Sequence, residues 1–335
     1  MKRTRGSGSQ RSGNSSADLA RGGVVRLEDM EWLGGKAPVA RRAPPPASIL
    51  ERRRADPIRV HAAGHFRGRE GYVASFIRGL PVPLPRNVGR PGDEAPVSGG
   101  GHVLRYTHFS SVVSKSRCMP LYTACNIDGK LAKKVPRGED DLWFHDGRID
   151  LEYQLGEALY EDNILDRGHL VRREDPVWGA DARRANDDTF HFTNCAPQAG
   201  AMNQRTWLGL EDYILRNARV EDLKVCVFTG PVLRNNDLRY RDVRIPKSFW
   251  KVVVIRTSQR PSATAYMVSQ VKELGDLEFV FGRYKTYQIA IKEVEELSGL
   301  DFGALSRFDG FSNARTLEAA GWPRVELDGW KGIRI

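Results

Sequence analysis

The sequence is poor in cysteine and has no long apolar run. Its 335 residues include four cysteines, Cys118, Cys125, Cys195 and Cys226, and none of them forms a C-x-x-C pair. This spacing argues against a zinc site. Four reduced, buried thiols are the simpler interpretation, while a Cys118–Cys125 disulfide stays open. No apolar stretch approaches the ~18 residues of a membrane helix, and no hydrophobic signal region follows the basic start. We therefore expect a cytoplasmic protein without a membrane partner.

Acidic side chains are outnumbered by basic ones. The chain has 52 Lys and Arg against 42 Asp and Glu, a formal net charge of +10. This excess favours a polyanionic partner such as nucleic acid, but it does not identify one, because many soluble proteins are basic. The length suffices for one large catalytic domain with an extension, or for two small domains.

The start of the chain offers little from which to build a core. Residues 1–23 are rich in Gly, Ser and Arg, which predicts disorder. A short apolar patch, three consecutive prolines and the basic cluster Arg52–Arg54 follow, and they indicate a docking element and a linker. We group residues 1–66 as an N-terminal tail and residues 67–103 as a lead-in segment.

The residues that can carry chemistry are concentrated at Asp166–His169 and between Phe190 and Glu211. A histidine can accept a proton from water near neutral pH, because its unperturbed pKa is ~6.5. An arginine beside it presents a planar, permanently charged group to phosphate oxygens. Asn203 and Glu211 offer the hard oxygen ligands that Mg²⁺ accepts. These residue types together predict metal-assisted cleavage of a phosphodiester.

Three motifs in this part of the chain resemble the DNA/RNA non-specific endonuclease family of endonuclease G-like enzymes. They are the D-R-G-H signature at Asp166–His169, the T-N-x-x-P-Q stretch at Thr193–Gln198, and the N-x-x-x-W-x-x-L-E helix at Asn203, Trp207, Leu210 and Glu211. Three motifs in the family's order and spacing make the resemblance specific. It covers most of the chain, so we predict a nuclease domain over residues 104–305 and a C-terminal extension over residues 306–335.

The resemblance implies an α+β fold of the ββα-metal (His-Me finger) class, with a central antiparallel sheet flanked by helices. It implies one Mg²⁺ ion, for which Mn²⁺ can substitute, held directly by Asn203 and through water by Glu211. His169 is then the general base, and Arg167 binds the phosphate that is attacked. The products of such a reaction carry 5′-phosphate ends.

Three site assignments are less direct. In the family an arginine precedes the histidine at about the distance of Arg137, which we expect to bind phosphate, with Arg148 as the competitor. Asp166 either orients the site or caps a turn. Members often carry an arginine four residues after the helix glutamate, where this chain has Leu215. Arg216 is the expected substitute in nucleic-acid binding, although one residue rotates a helix position by 100°.

Hydrophobic periodicity predicts the main elements around these motifs. The predicted strands are Val103–Val113, Pro120–Ile127, Phe190–Thr193, Val225–Thr229, Phe249–Ile255 and Ala265–Val271, the predicted helices are Asn203–Arg216 and Tyr287–Leu297, and Gln198–Asn203 is predicted as a loop.

The sequence therefore predicts an endonuclease that acts on DNA and RNA with little sequence preference. The first alternative is a catalytically restrained or inactive nucleic-acid-binding module, and the second is a metal-dependent phosphodiesterase of small substrates. We also expect a homodimer and a regulatory partner or activating protease that acts on residues 1–100, in a defence or cell-death system. The dibasic pair Arg41-Arg42 suits a trypsin-like protease.

Overall fold

The computed structural model of the chain describes residues 58–138, 141–200, 208–256, 260–270, 285–309 and 325–326. The chain divides into two compact units, Met1–Val39 and Ala40–Ile335, and the first unit lies outside the described residues. Also outside them are the predicted metal ligand Asn203, nearly all of the predicted C-terminal extension, and the docking element of the N-terminal tail.

The described elements are named here in chain order. The strands are β1 (Val60–His61), β2 (Arg86–Asn87), β3 (Leu104–Arg105), β4 (Phe109–Ser114), β5 (Met119–Asp128), β6 (His145–Asp146), β7 (Leu165–His169), β8 (Cys195–Ala199), β9 (Lys224–Pro231), β10 (Leu238–Tyr240), β11 (Val243–Ile245), β12 (Ser248–Arg256), β13 (Pro261–Ser269), β14 (Lys285–Ile289), β15 (Leu300–Asp301) and β16 (Val325–Glu326). The helices are α1 (Ala182–Asp188), α2 (Leu208–Val220) and α3 (Ile291–Ser298), with 3-10 turns at Ala63–Phe66, Leu151–Tyr153, Glu157–Leu159, Phe192–Asn194 and Gly303–Phe308.

An eight-stranded antiparallel sheet lies at the centre, in the order β16-β14-β13-β12-β9-β5-β4-β3. Strand β5 is buried along its whole length, so both faces of the sheet are covered there. Phe228, Phe249, Trp250 and Val252 are fully buried, because β-branched and aromatic side chains pack well on a pleated surface. This confirms the predicted α+β class with a central antiparallel sheet.

The last residue of the predicted N-terminal tail and the lead-in segment contribute to the same core. Phe66, Tyr72, Ile77 and Val82 are buried among the residues of the sheet, and the Tyr72 hydroxyl donates a hydrogen bond to the Val82 carbonyl at 2.7 Å. These side chains lie in irregular segments, in which hydrophobic residues do not repeat every two residues as in a strand or every 3.6 residues as in a helix. The sequence pattern therefore did not predict that they are buried.

Two element predictions were wrong. Tyr287 to Ile289 do not belong to a helix: they form part of β14, which pairs with β13, and α3 begins only at Ile291. Hydrogen-bonded pairing of β14 with β13 outweighs the helical pattern of the local sequence here. In place of the predicted strand Phe190–Thr193, the chain forms a 3-10 turn at Phe192–Asn194. A strand begins after this turn, as β8, and extends into the predicted loop Gln198–Asn203.

The side chain of Asn194 explains the second difference. Its amide donates hydrogen bonds to the carbonyls of Val171 and Thr189, both at 3.0 Å, and accepts one from the Val171 N–H at 2.9 Å. Such side chain-to-backbone bonds compete with strand pairing and favour a turn. The predicted helix that ends at Arg216 continues in the structure to Val220.

The four cysteines are free thiols, so the Cys118–Cys125 disulfide is not formed. Burial raises the pKa of the Cys195 thiol to about 12 and that of Cys226 to about 11, which keeps both protonated and unreactive. Among the helices that the structure describes, none combines the length and the apolar character of a membrane-spanning segment.

Candidate active site

The D-R-G-H motif lies in strand β7, which pairs with β8 in antiparallel orientation, and α2 follows β8 along the chain. Gly168 lies opposite Ala196 in this pair. A Cβ atom at Gly168 would come within 2.2 Å of the side chain of Gln198, which is fully buried. The glycine of the motif is therefore required by packing, because Gln198 crosses the strand at that point.

A cavity of about 450 Å³ opens beside β7. It brings together four of the predicted site residues, Arg137, Asp166, Arg167 and His169. The remainder of its lining comprises Asp141, Trp143, Tyr160, Asn163 and Leu165.

His169 is held by aromatic rings at the cavity wall. Its ring lies 4.6 Å from the ring of Trp143 and 5.2 Å from that of Phe190, centroid to centroid. Its Nε2 atom is buried and has no hydrogen-bond partner within the described part of the chain. Burial, aided by nearby arginines and opposed by Asp141, lowers the pKa of His169 to about 3. The imidazole is consequently neutral at pH 7.

Arg167 and Arg137 supply positive charge at the mouth of the cavity. Arg167 forms an ion pair with Glu157 and is 30% exposed. Arg137 is 67% exposed, and its Nε donates a hydrogen bond to Asp141 at 2.9 Å. The hydrogen bond from Arg137 lowers the pKa of Asp141 below its usual value. Both guanidinium groups are partly open to solvent and can reach a ligand.

Arg148, the competitor of Arg137, has a structural position. Its Nη2 lies 2.6 Å from the buried carboxylate of Asp146, and its guanidinium stacks over the ring of Phe66 at 3.7 Å. It is not among the described residues that line the cavity. A buried, fully engaged arginine of this kind fixes the fold rather than a substrate.

The oxygen donors at the cavity suit a hard divalent cation. Asp166 is half-buried, and a Cβ atom at Gly200 would lie 3.1 Å from its carboxylate oxygen, so the glycine leaves that carboxylate room. The Asn163 side chain is occupied, because it accepts from the Leu165 N–H at 2.7 Å and donates to two carbonyls. It therefore shapes the start of β7, and the carboxylates that line the cavity are those of Asp141 and Asp166.

Glu211 and Arg216 lie elsewhere on α2. Glu211 is buried and its Oε1 is 3.2 Å from the Nζ of Lys251, which is 1% exposed. Neither Glu211 nor Arg216 is among the described residues that line the cavity. Leu215 is packed in the core and Arg216 is exposed, so the helix turn separates the two positions as the 100° rotation requires.

Sequence reasoning missed three residues near the predicted site. Trp143 and Asp141 line the cavity, and Lys251 pairs with Glu211. A signal existed for Lys251, since it is a charged residue inside the apolar run Phe249–Ile255. Lysine is almost never fully buried unless it is paired.

A histidine cluster forms the closest approach to a nitrogen ligand set in the described part of the chain. Ring nitrogens of His61, His65 and His191 lie within 4.8 Å of one another. The rings of His61 and His65 stack at 3.9 Å with an interplanar angle of 6°, and His61 Nδ1 is 2.9 Å from His191 Nε2. Ligand lone pairs lie in the ring plane, so two parallel rings cannot converge on one ion. The stacked and hydrogen-bonded histidines of this cluster attach β1 to the rest of the domain.

Comparison with known proteins identifies the family of the chain. The model of the family described as DNA/RNA non-specific endonuclease matches residues 91–307. The uncharacterized protein y4fB of Sinorhizobium fredii is 40% identical over 296 residues, 80% of this chain and 44% of that protein. A nuclease of Nostoc sp. is 29% identical over 43% of this chain and 53% of that protein.

More distant relatives include eukaryotic enzymes. Human mitochondrial endonuclease G is 28% identical over 47% of this chain and 54% of that protein. The chain thus spans about half the length of the curated relatives it matches. A crystal structure of the EndoG/EndoGI complex aligns with 59% of this chain and 84% of that chain, at 20% identity and a TM-score of 0.48. Because the family model covers well over half of the sequence and contains the D-R-G-H strand, this chain belongs to the DNA/RNA non-specific endonuclease family, a family of metal-dependent nucleases.

Proposed function

We propose that the chain is a sugar-non-specific endonuclease that hydrolyses phosphodiester bonds of DNA and RNA with one Mg²⁺ ion. The observation that carries this proposal is the position of the D-R-G-H strand. It places a neutral His169 in one cavity with Asp166, Arg167 and Arg137.

His169 is proposed as the general base. Its depressed pKa keeps the imidazole unprotonated through the neutral range, and the buried Nε2 has no protein partner among the described residues. A base must be within hydrogen-bond reach of the water it activates. The rings of Trp143 and Phe190 pack against the imidazole, so they hold it in place at the cavity wall.

The two cavity arginines are proposed to hold the scissile phosphate. Each is already paired with a carboxylate, Arg137 with Asp141 and Arg167 with Glu157. Pairing of this kind orients a flexible side chain before the substrate arrives. Phosphate oxygens accept the same two parallel N–H groups as a carboxylate. The guanidinium groups can therefore exchange their partners for phosphate without changing their direction.

Asn203 is proposed as the direct ligand of the ion and Glu211 as a ligand through water. The ion, when bound, stabilises the negative charge that develops on the phosphate oxygens. Asp166 is proposed to orient the site from the cavity wall. Lys251 holds the Glu211 carboxylate by an ion pair at 3.2 Å, which opposes the rise in the pKa of Glu211 caused by burial.

We further propose cytoplasmic action, a homodimer, and restraint of the nuclease within a defence or cell-death system. An unrestricted nuclease would damage the nucleic acid of its own cell, and the basic cluster Arg52–Arg54 is a site for trypsin-like cleavage. The restraint is proposed to come from residues 1–100, of which Phe66, Tyr72, Ile77 and Val82 also belong to the core.

The proposal is tested with purified protein, plasmid DNA and RNA, each with Mg²⁺, Mn²⁺ or EDTA, followed by labelling of the product ends. Degradation of both polymers with Mg²⁺ or Mn²⁺, absent with EDTA and leaving 5′-phosphate ends, is the expected result. Binding of DNA without cleavage under every condition would support the alternative of an inactive binding module. Cleavage confined to small phosphodiesters would refute the polymer assignment.

A further inference from the structure

A second cavity of about 480 Å³ lies outside the catalytic cavity, and four arginines line it. We name it the arginine pocket, defined by Arg90, Arg117, Arg239 and Arg244. Asp242 is the one acidic residue in the lining that the structure describes. A concave surface with this excess of guanidinium groups suits an anion.

Two of these arginines oppose each other across a hairpin. Arg239 of β10 lies directly opposite Arg244 of β11 in the antiparallel register, so both side chains leave the same face of the hairpin. Like charges in directly opposite positions destabilise a strand pair. The two-residue turn between the strands adds strain, because Arg241 and Asp242 have φ values of 47° and 64°, a region that favours glycine or asparagine.

The other two arginines are fixed in place. The guanidinium of Arg117 is buried, and it donates to Asp237 at 2.6 Å and to the Arg244 carbonyl at 2.8 Å. Arg90 donates to the Leu233 carbonyl. Burial lowers the pKa of Arg117, the hydrogen bond and charge of Asp237 raise it, and the charges of Arg90 and Arg244 lower it to a smaller extent. Asp237 therefore offsets the charge of Arg117, and Arg90, Arg239 and Arg244 supply the excess positive charge of the pocket.

The arginine pocket and the catalytic cavity flank one short element. Leu155 lines the arginine pocket and Tyr160 lines the catalytic cavity, with the 3-10 turn Glu157–Leu159 between them. Arg241 of the hairpin donates to the Ala158 carbonyl at 2.6 Å. This turn therefore lies between residues of the two cavities along the chain and contacts the hairpin that carries Arg239 and Arg244.

We propose that the arginine pocket binds a backbone phosphate of the nucleic-acid strand that is cut in the catalytic cavity. This inference rests on the proposed function and adds a contact remote from the scissile bond. Arg239 and Arg244 donate to the phosphate oxygens, while the fixed Arg90 and Arg117 contribute positive potential. Such a contact adds affinity without base specificity, in keeping with a nuclease that acts on any sequence.

The test measures binding without cleavage. Full-length protein carrying His169→Ala is titrated, in EDTA, into labelled single-stranded DNA at several salt concentrations. Arg239→Gln/Arg244→Gln is compared with Arg67→Gln/Arg78→Gln, which removes the same charge from two exposed arginines elsewhere. We expect the pocket variant to bind about tenfold more weakly. The slope of log K against log salt should fall by about 0.7, since each single-strand phosphate contact contributes ~0.7; the control should change neither.

A separate variant excludes a purely structural role. Arg239→Glu places opposite charges across the hairpin, which should maintain or raise the melting temperature while DNA affinity falls. A fall in both quantities would overturn the proposal. So would affinity and slope that match the His169→Ala parent, or the absence of DNA binding by that parent.

Inorganic pyrophosphate distinguishes a free phosphate ligand from a strand. If pyrophosphate raises the melting temperature only when Arg239 and Arg244 are present, while DNA binding does not depend on them, the strand assignment is wrong. DNA affinity is measured without cleavage, so the measurement stays informative even if the protein does not cut DNA. Unchanged DNA binding beside metal-dependent cleavage by the wild type would refute the pocket alone.

Discussion

Two buried histidines show why a lowered pKa does not by itself identify a base. Burial lowers the pKa of His169 to about 3 and that of His191 to about 4. Both ring nitrogens of His191 have partners, at 2.9 Å each, in the Asp188 carbonyl and His61. The Nε2 atom of His169 has none among the described residues. A free acceptor atom at a cavity, rather than the shift, marks the residue that can do chemistry.

The neutral state of His191 has a consequence for stability. Its folded-state pKa of about 4 is below the ordinary value of 6.5, so between these values the unfolded chain binds more protons and stability falls as pH falls. His191→Gln lacks this dependence. We expect the stability advantage of the wild type over the variant to shrink by up to about 1.4 kcal/mol per pH unit between pH 6 and 5.

Urea unfolding at pH 8, 7, 6 and 5 measures this difference. Between pH 7 and 8 the advantage should change by only about 0.1 kcal/mol, because the folded state takes up no proton there and the unfolded histidine, with a pKa of ~6.5, takes up only a small fraction of one. A constant advantage over the whole range would contradict the assignment.

At the scale of elements, the pairing of β7 with β8 depends on the absence of a side chain at one position. A Cβ atom at Gly168 would collide with the buried Gln198. We expect Gly168→Ala to destabilise the fold by about 1–3 kcal/mol, the range for overpacking. Gly64→Ala is the matched control, because a Cβ atom there has no atom within 4 Å. Equal urea midpoints for the two variants would refute the packing explanation.

A buried charge connects helix α2 to the sheet. Lys251 of β12 lies 3.2 Å from Glu211 and donates to Thr229 at 2.9 Å, and its charge also opposes the burial that raises the pKa of Asp175 to about 7. Removing one partner of a buried pair costs about 3–5 kcal/mol. We expect Lys251→Met to lose stability of this order in urea unfolding at pH 8.

The double variant Lys251→Met/Glu211→Gln should recover part of that loss, because it no longer leaves Glu211 unpaired. If the losses of stability caused by the two single substitutions simply add in the double variant, the ion pair does not couple helix α2 to strand β12.

At the scale of the whole molecule, features with a local sequence signal were predicted, and features that depend on contacts between distant residues were not. Strands β9 and β12 were predicted from local β-branched runs, and both are confirmed. The D-R-G-H motif led to the residues that line one cavity. The strand at Tyr287 was missed, because its pairing partner β13 lies outside the local window. The Glu211–Lys251 contact spans 40 positions, and no pattern in one sequence encodes such a pair.

The packing of the lead-in segment sets the smallest chain that should fold. Residues 1–57 lie outside the described part, while Phe66, Tyr72, Ile77 and Val82 belong to the core. A chain that begins at residue 58 should retain the cooperative unfolding of the full chain. One that begins at residue 101 should lose it, since each buried large side chain is worth about 1.5–3 kcal/mol. Thermal unfolding followed by circular dichroism would contradict this if both truncations melt alike.

The most direct test of the account is the single-turnover rate of DNA cleavage with saturating Mg²⁺ for the wild type, His169→Ala and His102→Ala. His102 is an exposed histidine outside the catalytic cavity. If His169 is the general base, His169→Ala should cut about 10²–10⁴-fold more slowly with unchanged DNA binding, and His102→Ala should match the wild type. A His169→Ala protein that folds, binds DNA and cuts at the wild-type rate would contradict the central claim.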